Sequence, residues 1–246
     1  MGQMGYGYGS EYHLLRYLGY HRGDLNRAIE QQTGGRVLDW RDFGFDPRGK
    51  FPHLDAEWKG LDFVGRDFEG VKTAWEGFWP QTGNVQNWDA VGLLQADSHT
   101  EFILVEAKAH LEEARSDCGA HEDGGLPMIR KAFAETIAAH GFKADPEKWL
   151  RPYYQYANRL ATLHYLIQHG VLSRLVCVYF IGDDATRYKW HVLCPENEQE
   201  WDACLHEMDR HLGMTGSSAL QQRVHRVFLP VGGQASPSPD EQAMQA

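Results

Sequence analysis

Phe102-Ile103-Leu104-Val105 is an unbroken apolar run that leads directly into Glu106-Ala107-Lys108. A short run of this kind, rich in branched and aromatic residues, reads as a strand covered on both faces, and so as a central strand of a sheet. A central strand needs neighbours. Asn87-Trp88-Asp89-Ala90-Val91-Gly92-Leu93-Leu94, joined to it through the polar turn Asp97-Ser98-His99-Thr100, supplies one as the other arm of a hairpin. A second apolar run, Leu175-Val176-Cys177-Val178-Tyr179-Phe180-Ile181, predicts another strand within Val171 to Ile181, and Trp190 to Leu193 is expected to add one more.

Helical periodicity surrounds these strands. Ser10 is a good N-cap, Glu11 suits the positive end of the helix dipole, and Leu14, Leu15 and Leu18 form an apolar face. A second helix is expected over Asp24–Gln32, stopped by Gly34-Gly35. Further helices are predicted over Leu126–His140, from Arg151-Pro152 to Gly170 with Pro as an early helical residue, and over Glu198–Leu212. Val37–Trp40 reads as a short strand, and the rest of residues 36–80 as loops with short strands, Leu61–Trp79 being ambiguous between strands and a helix. The expected fold class is α/β, a mixed central sheet flanked by helices. Residues 1–230 read as a single domain and 231–246, small, polar and Pro-containing, as a disordered C-terminal tail.

Alternation along a strand puts Glu106 and Lys108 on one side and Val105 and Ala107 on the other. Charged groups at the end of a buried run are costly unless they are paired or bind something. Asp89, on the neighbouring strand, can sit beside Glu106 if the hairpin pairs in that register. Two adjacent carboxylates repel, and a divalent cation relieves the repulsion; oxygen ligands of this kind suit Mg²⁺ or Mn²⁺. Lys108 could then orient or help to deprotonate a water attacking a phosphodiester.

These residues resemble the pattern of the PD-(D/E)XK nuclease superfamily: an Asp on one strand, here Asp89, then, after a gap of sixteen residues, Glu/Asp-x-Lys, here Glu106-Ala107-Lys108. Trp88 stands where the family name has proline. The resemblance covers roughly residues 10–195 and implies a restriction-endonuclease-like αβββαβ core. It also implies a metal site made by Asp89, Glu106 and the Ala107 carbonyl, and catalytic roles for Asp89, Glu106 and Lys108. Glu11 matches a glutamate that many members carry on the first helix, and Gln155 a glutamine that some carry on the helix after the motif. The implied function is a Mg²⁺-dependent nuclease that hydrolyses DNA phosphodiester bonds with metal-activated water. Nucleic acid, DNA first, is the expected partner, with no membrane and with a homodimer allowed. Two alternatives stay open: a catalytically inactive nuclease-fold binding or assembly module, and a metal-dependent hydrolase of a small phosphorylated substrate.

Plainer roles compete at each position. Glu-x-Lys arises by chance roughly once in a chain this long, and Glu57-Trp58-Lys59 is such a decoy, set among Pro, Gly and polar residues. Asp89 could cap a turn, and Glu106 with Lys108 could be an exposed pair. Glu11 could serve only the helix dipole, and Gln155 fits a solvated helix face. Arg151 and Arg159 could contact phosphate or be solvated, and Glu112 and Glu113 read as a solvated helix start. His110 shares the Glu106 side but fits a structural or exposed role better. Trp149, Tyr153, Tyr154 and Tyr156 could stack on bases, though helix packing suits them better. A formal net charge of −10 argues against a phosphate-backbone partner when taken alone, since such partners favour basic surfaces. No apolar run approaches the roughly 20 residues of a membrane span, and the N-terminal residues lack a signal-like core. Cys118, Cys177, Cys194 and Cys204 are widely spaced and read as reduced thiols in a cytoplasmic protein. There is no Gly-rich phosphate loop or Gly-x-Ser-x-Gly elbow.

Overall fold

The hairpin seen in the sequence sits inside a five-stranded sheet. A computed structural model describes residues 7–41, 57–65, 68–83 and 85–233; the tail expected over 231–246 lies, beyond Gly233, outside the described residues. The sheet strands are β1 (Arg36–Trp40), β4 (Ala90–Ala96), β5 (His99–Lys108), β6 (Ser173–Ile181) and β7 (Val224–Pro230), adjacent in that order. β1, β4 and β5 are antiparallel neighbours, whereas β6 runs parallel to β5 and β7 parallel to β6. Two short strands, β2 (Trp58–Lys59) and β3 (Asn87–Trp88), pair separately. The β4–β5 turn is only Asp97-Ser98, with Asp97 at φ 47°, so His99 and Thr100 already belong to the strand. Gln95 Nε2 braces it by donating to the Asp97 and His99 carbonyls, both at 3.1 Å.

Strand parity divides the interior in two. Ile103, Val105 and Ala107 of β5, with Val176, Val178 and Phe180 of β6, meet helices α1 (Ser10–Tyr20) and α2 (Arg22–Thr33) through Leu14, Tyr17, Leu18, Leu25 and Ile29. Phe102, Leu104, Leu175, Cys177 and Tyr179 face the other way, toward α4 (Leu126–His140), α6 (Tyr154–Gln168) and α8 (Glu198–His211). β5 is thus covered on both faces, as its apolar run requires. The short helices α3 (Glu69–Trp75), α5 (Pro146–Trp149) and α7 (Asp184–Trp190) complete the described helices.

α6 is the central helix of the second layer: every residue from Tyr156 to Leu166 is buried. A helix buried all round must satisfy its polar groups internally. Thr162 Oγ1 donates to the Asn158 carbonyl at 2.8 Å and accepts from Gln86 Nε2 at 3.1 Å. His164 Nδ1 lies 3.0 Å from His140 Nε2. At the far end of β5 from its Glu-x-Lys triplet, Glu101 is also buried and is held by Arg174, by His99 at 2.8 Å and by Arg223 at 3.2 Å.

Three expectations change. Pro152 precedes α6 instead of opening it, because the segment is tied to Ser116: the Ser116 amide donates to the Pro152 carbonyl at 2.6 Å, and Ser116 bridges Tyr153. Trp190–Leu193 is no strand; α7 ends at Trp190, His191 at φ 56° closes it, and Leu193 is exposed. The strand that completes the sheet is instead β7, an edge strand in which only Val227 and Leu229 are buried, so its apolar signal is diluted by His225 and Arg226. Among the described residues no helix is long and apolar enough to cross a membrane, and all four cysteines are free.

Asp183 starts α7 and locks it to α1. Its carboxylate is buried and accepts from the Thr186 amide (3.0 Å), Thr186 Oγ1 (2.6 Å) and the Gly9 amide (3.0 Å), with His13 Nε2 at 2.9 Å. Burial opposes ionisation, but the His13 and Thr186 hydrogen bonds outweigh it and hold the carboxyl well below the usual range. A lowered carboxylate pKa contributes stability that is present at neutral pH and lost as pH falls toward the folded-state value. Asp183→Ala should therefore lower the unfolding free energy at pH 7 by about 2 kcal/mol, from the lost cap and the donors left unpaired. Urea denaturation measures this, and an unchanged midpoint would count against the network.

Candidate functional site

The strand from Asn87 to Leu94 is broken at Asp89. Trp88 ends β3, with its ring buried and Nε1 donating to the Gly60 carbonyl at 2.9 Å, and Ala90 begins β4. Asp89 nevertheless keeps the hairpin register: its amide donates to the Val105 carbonyl at 3.1 Å, and the next residue pairs Ala90 with Val105. The decoy triplet has a structural role here, since Trp58 and Lys59 form the strand that pairs with Trp88 and Asn87.

This register brings Asp89 to the end of β5. Asp89 Oδ2 accepts from the Ala107 amide at 2.7 Å, so the contact observed at Ala107 is through its N–H. Glu106 is buried, and its oxygens take different partners: Lys108 Nζ donates to Oε1 at 2.6 Å and Arg159 Nε to Oε2 at 2.7 Å. Gln155 Oε1 accepts from Lys108 Nζ at 3.0 Å. Gln155 reaches the site because its own amide is capped by Ser116 Oγ at 2.8 Å, which fixes the first turn of α6 over the strand end. The solvated-face role for Gln155 is thereby replaced.

Glu11 is placed differently. It is exposed on the first turn of α1, whose packing face serves the opposite side of the sheet. Its neighbour Ser10 donates through Oγ to Glu113 Oε1, and Glu113 Oε2 accepts from the Ala109 amide at 2.7 Å. Glu113, expected as a solvated helix start, thus folds back onto the end of β5. Arg159 is likewise no solvated or phosphate-seeking side chain. It is 3% exposed, donates to the Asn87 carbonyl at 2.6 Å and to Asn158 Oδ1 at 2.7 Å, and lies 4.9 Å over the Trp88 ring. Its spacing of four from Gln155 on one helix was the available signal that both face the site.

The remaining candidates resolve simply. Trp149, Tyr153 and Tyr156 are buried in the core and do not offer faces to bases. His110 Nδ1 lies 3.3 Å from Glu112 Oε2, and its ring meets Trp190 edge-on at 5.8 Å.

The electrostatics follow from this crowding. Burial, then the neighbouring Glu106 charge, push the Asp89 carboxyl up to about 8, against the pull of Lys108 and the Ala107 amide. Burial would also raise Glu106, but Arg159 and Lys108 overcome it and hold Glu106 ionised. Burial disfavours the Lys108 ammonium, yet Glu106, Glu113 and Asp89 together raise its pKa and keep it charged. A lysine held in this state donates hydrogen bonds and does not accept a proton. In this arrangement Lys108 is a hydrogen-bond donor, to Glu106 and to Gln155.

Asp89 and Glu106 form a mutually repelling carboxylate pair, which suits a divalent cation. Among the described residues no group of three or more His, Cys, Asp or Glu side chains is placed to hold a metal, so the remaining ligands would come from backbone, water or substrate. A cation on Glu106 Oε1 would have to displace Lys108 from it, a movement open to a side chain on a flexible stem. The cavity lined by Glu106, Lys108, Gln155, Tyr156, Cys177 and Tyr179 measures about 20 Å³. That is room for one water, and Asp89 does not line it. Comparison with protein-family models, curated proteins and solved structures found no match.

Proposed function

We propose that this protein is a Mg²⁺-dependent nuclease that hydrolyses phosphodiester bonds of DNA. The observation that carries the proposal is the meeting of Asp89 and Glu106 at the ends of adjacent strands, with Lys108 and Gln155 hydrogen-bonded beside them. The element order supports it: a helix, three antiparallel strands, a helix and a parallel strand correspond to α1, β1, β4, β5, α6 and β6, which fits a restriction-endonuclease-like αβββαβ core. Fold alone does not carry function, so the weight rests on the side chains.

Asp89 and Glu106 would hold the cation, with the Ala107 carbonyl as the backbone ligand that the family resemblance implies. A divalent ion there supplies charge stabilisation to the scissile phosphate. The chain's own residues do the positioning. Arg159 keeps Glu106 ionised and fixed, Gln155 directs the Lys108 ammonium, and that ammonium orients the attacking water and offsets negative charge on the phosphate.

The test is cleavage of supercoiled, linear and single-stranded DNA with Mg²⁺ or Mn²⁺. Lys108→Ala should slow cleavage about 100-fold, the scale of losing one preorganised donor at a developing charge. Full activity in Lys108→Ala would sink this role for Lys108.

The rival reading, a non-cutting binding or assembly module, is favoured by one observation: both Glu106 oxygens already carry cationic partners. Calorimetry with Mn²⁺ separates the two. Absence of binding, or binding unaffected by Glu106→Ala, points to the module.

A further inference from the structure

Arg159 is a cation that the chain itself installs in the carboxylate site. Its guanidinium is anchored on every side: Glu106 Oε2, the Asn87 carbonyl, Asn158 Oδ1 and the Trp88 ring each hold one part of it. A planar group fixed by so many partners does not swing away when an ion arrives. Lys108 differs, since its ammonium rides on a flexible stem and retains 12% exposure. The two oxygens of Glu106 are therefore unequal. Oε1, facing Lys108, can be vacated for an incoming cation, whereas Oε2 stays with the anchored guanidinium.

Resting on the metal-dependent reading above, we infer that Arg159 stands in the place of a second metal ion, so that the site takes a single divalent cation together with one phosphodiester anion. Charge balance supports the same stoichiometry. Counted as formal charges, Asp89, Glu106 and Glu113 lie with Lys108 and Arg159, leaving one negative charge. One divalent cation reverses this to one positive charge, which a single phosphodiester neutralises. A second divalent cation would leave two further positive charges beside a buried guanidinium, with no carboxylate among these groups left to meet them.

The test counts Mn²⁺ bound to the full chain, by calorimetry and by the loss of the free-ion electron paramagnetic resonance signal. The specific sites are those that vanish in Asp89→Asn. The expected result is one Mn²⁺ per chain with a spectrum free of exchange coupling, unchanged in number in Arg159→Lys. In Arg159→Gln a second, weaker Mn²⁺ is expected to enter. Two specific ions in the wild type would overturn the inference, as would a single ion of unchanged affinity in a folded Arg159→Gln. The wild-type count and Arg159→Lys decide even if Arg159→Gln does not fold, because two ions in either would overturn it. No specific Mn²⁺ at all in the wild type is a separate failure, that of the metal-dependent reading itself.

Discussion

Replacing Arg159 with alanine is expected to destabilise the protein by about 4 kcal/mol, the scale for removing one partner of a buried ion pair. The reason is the charge left behind. Glu106 is 4% exposed and Arg159 3%, so the carboxylate cannot recover water when the guanidinium goes. Lys108 remains as a partner, but only on Oε1. The Asn87 carbonyl also loses its 2.6 Å donor, and the chain entering Asp89 loses its tether to α6. Urea denaturation gives the number, and a loss under 1 kcal/mol would mean that the pair is not held as described. A double-mutant cycle isolates the pairwise part: Glu106→Gln with Arg159→Met should be far less damaging than the two single losses added together, because no unpaired charge is then buried.

Asp89→Asn should act in opposite directions on stability and activity. The Asp89 carboxyl rises from 3.8 to about 8 in the folded protein. Between these values the folded state keeps a proton that the unfolded chain has released. Metal-free stability therefore falls as pH rises through this window, and the penalty is complete above about pH 8. Asparagine carries no such proton, and its carbonyl oxygen can still accept from the Ala107 amide. The variant should match the wild type near pH 4 and exceed it by about 2 kcal/mol at pH 8.5 without metal, a figure kept below the full linkage value because Asp89 is only half-buried. DNA cleavage should fall about 1,000-fold, equivalent to roughly 4 kcal/mol of lost transition-state stabilisation. Thermal melts across pH with a metal chelator, alongside cleavage assays, measure both. An Asp89→Asn protein no more stable than the wild type at pH 8.5 would contradict the raised carboxyl. Such a trade of stability for function is expected where like charges are held together for a ligand.

What the sequence disclosed depended on local pattern. Phe102–Lys108 revealed its strand because four apolar residues in succession have few other uses, and parity then fixed Glu106 and Lys108 on one side. The hairpin register was less legible: the sequence suggested a turn over residues 97–100, and it is the two-residue turn of the structure that sets Asp89 one step beyond Ala90 and beside the strand end. Helix α4 was legible to its boundaries, since a Pro near its start and Gly141 after its end mark it. Residues whose role depends on distant packing were not legible. Arg159 appears solvent-facing in a linear reading and becomes a buried partner only once α6 is enclosed between the sheet and α4. Glu113 follows a strand end that the chain turns back upon, a turn with no signature in Leu111–Ala114. The edge strand β7 was lost for the opposite reason, because His225 and Arg226 interrupt its apolar residues.

Glu101 and Glu106 give β5 a further property, that of a strand whose alignment is checked at two points. The residues are five apart, so they point to opposite faces of the sheet, and each meets its cations only in one alignment. A slip of one residue would drive each carboxylate toward the wrong face and expose its apolar neighbours to the charges left behind. A slip of two would restore the faces but leave Arg174, which is level with Ile103 on β6, out of step with Glu101. Misaligned pairings of the central strand are thus penalised at both ends at once, and the site inherits its alignment from a carboxylate at the other end of the same strand.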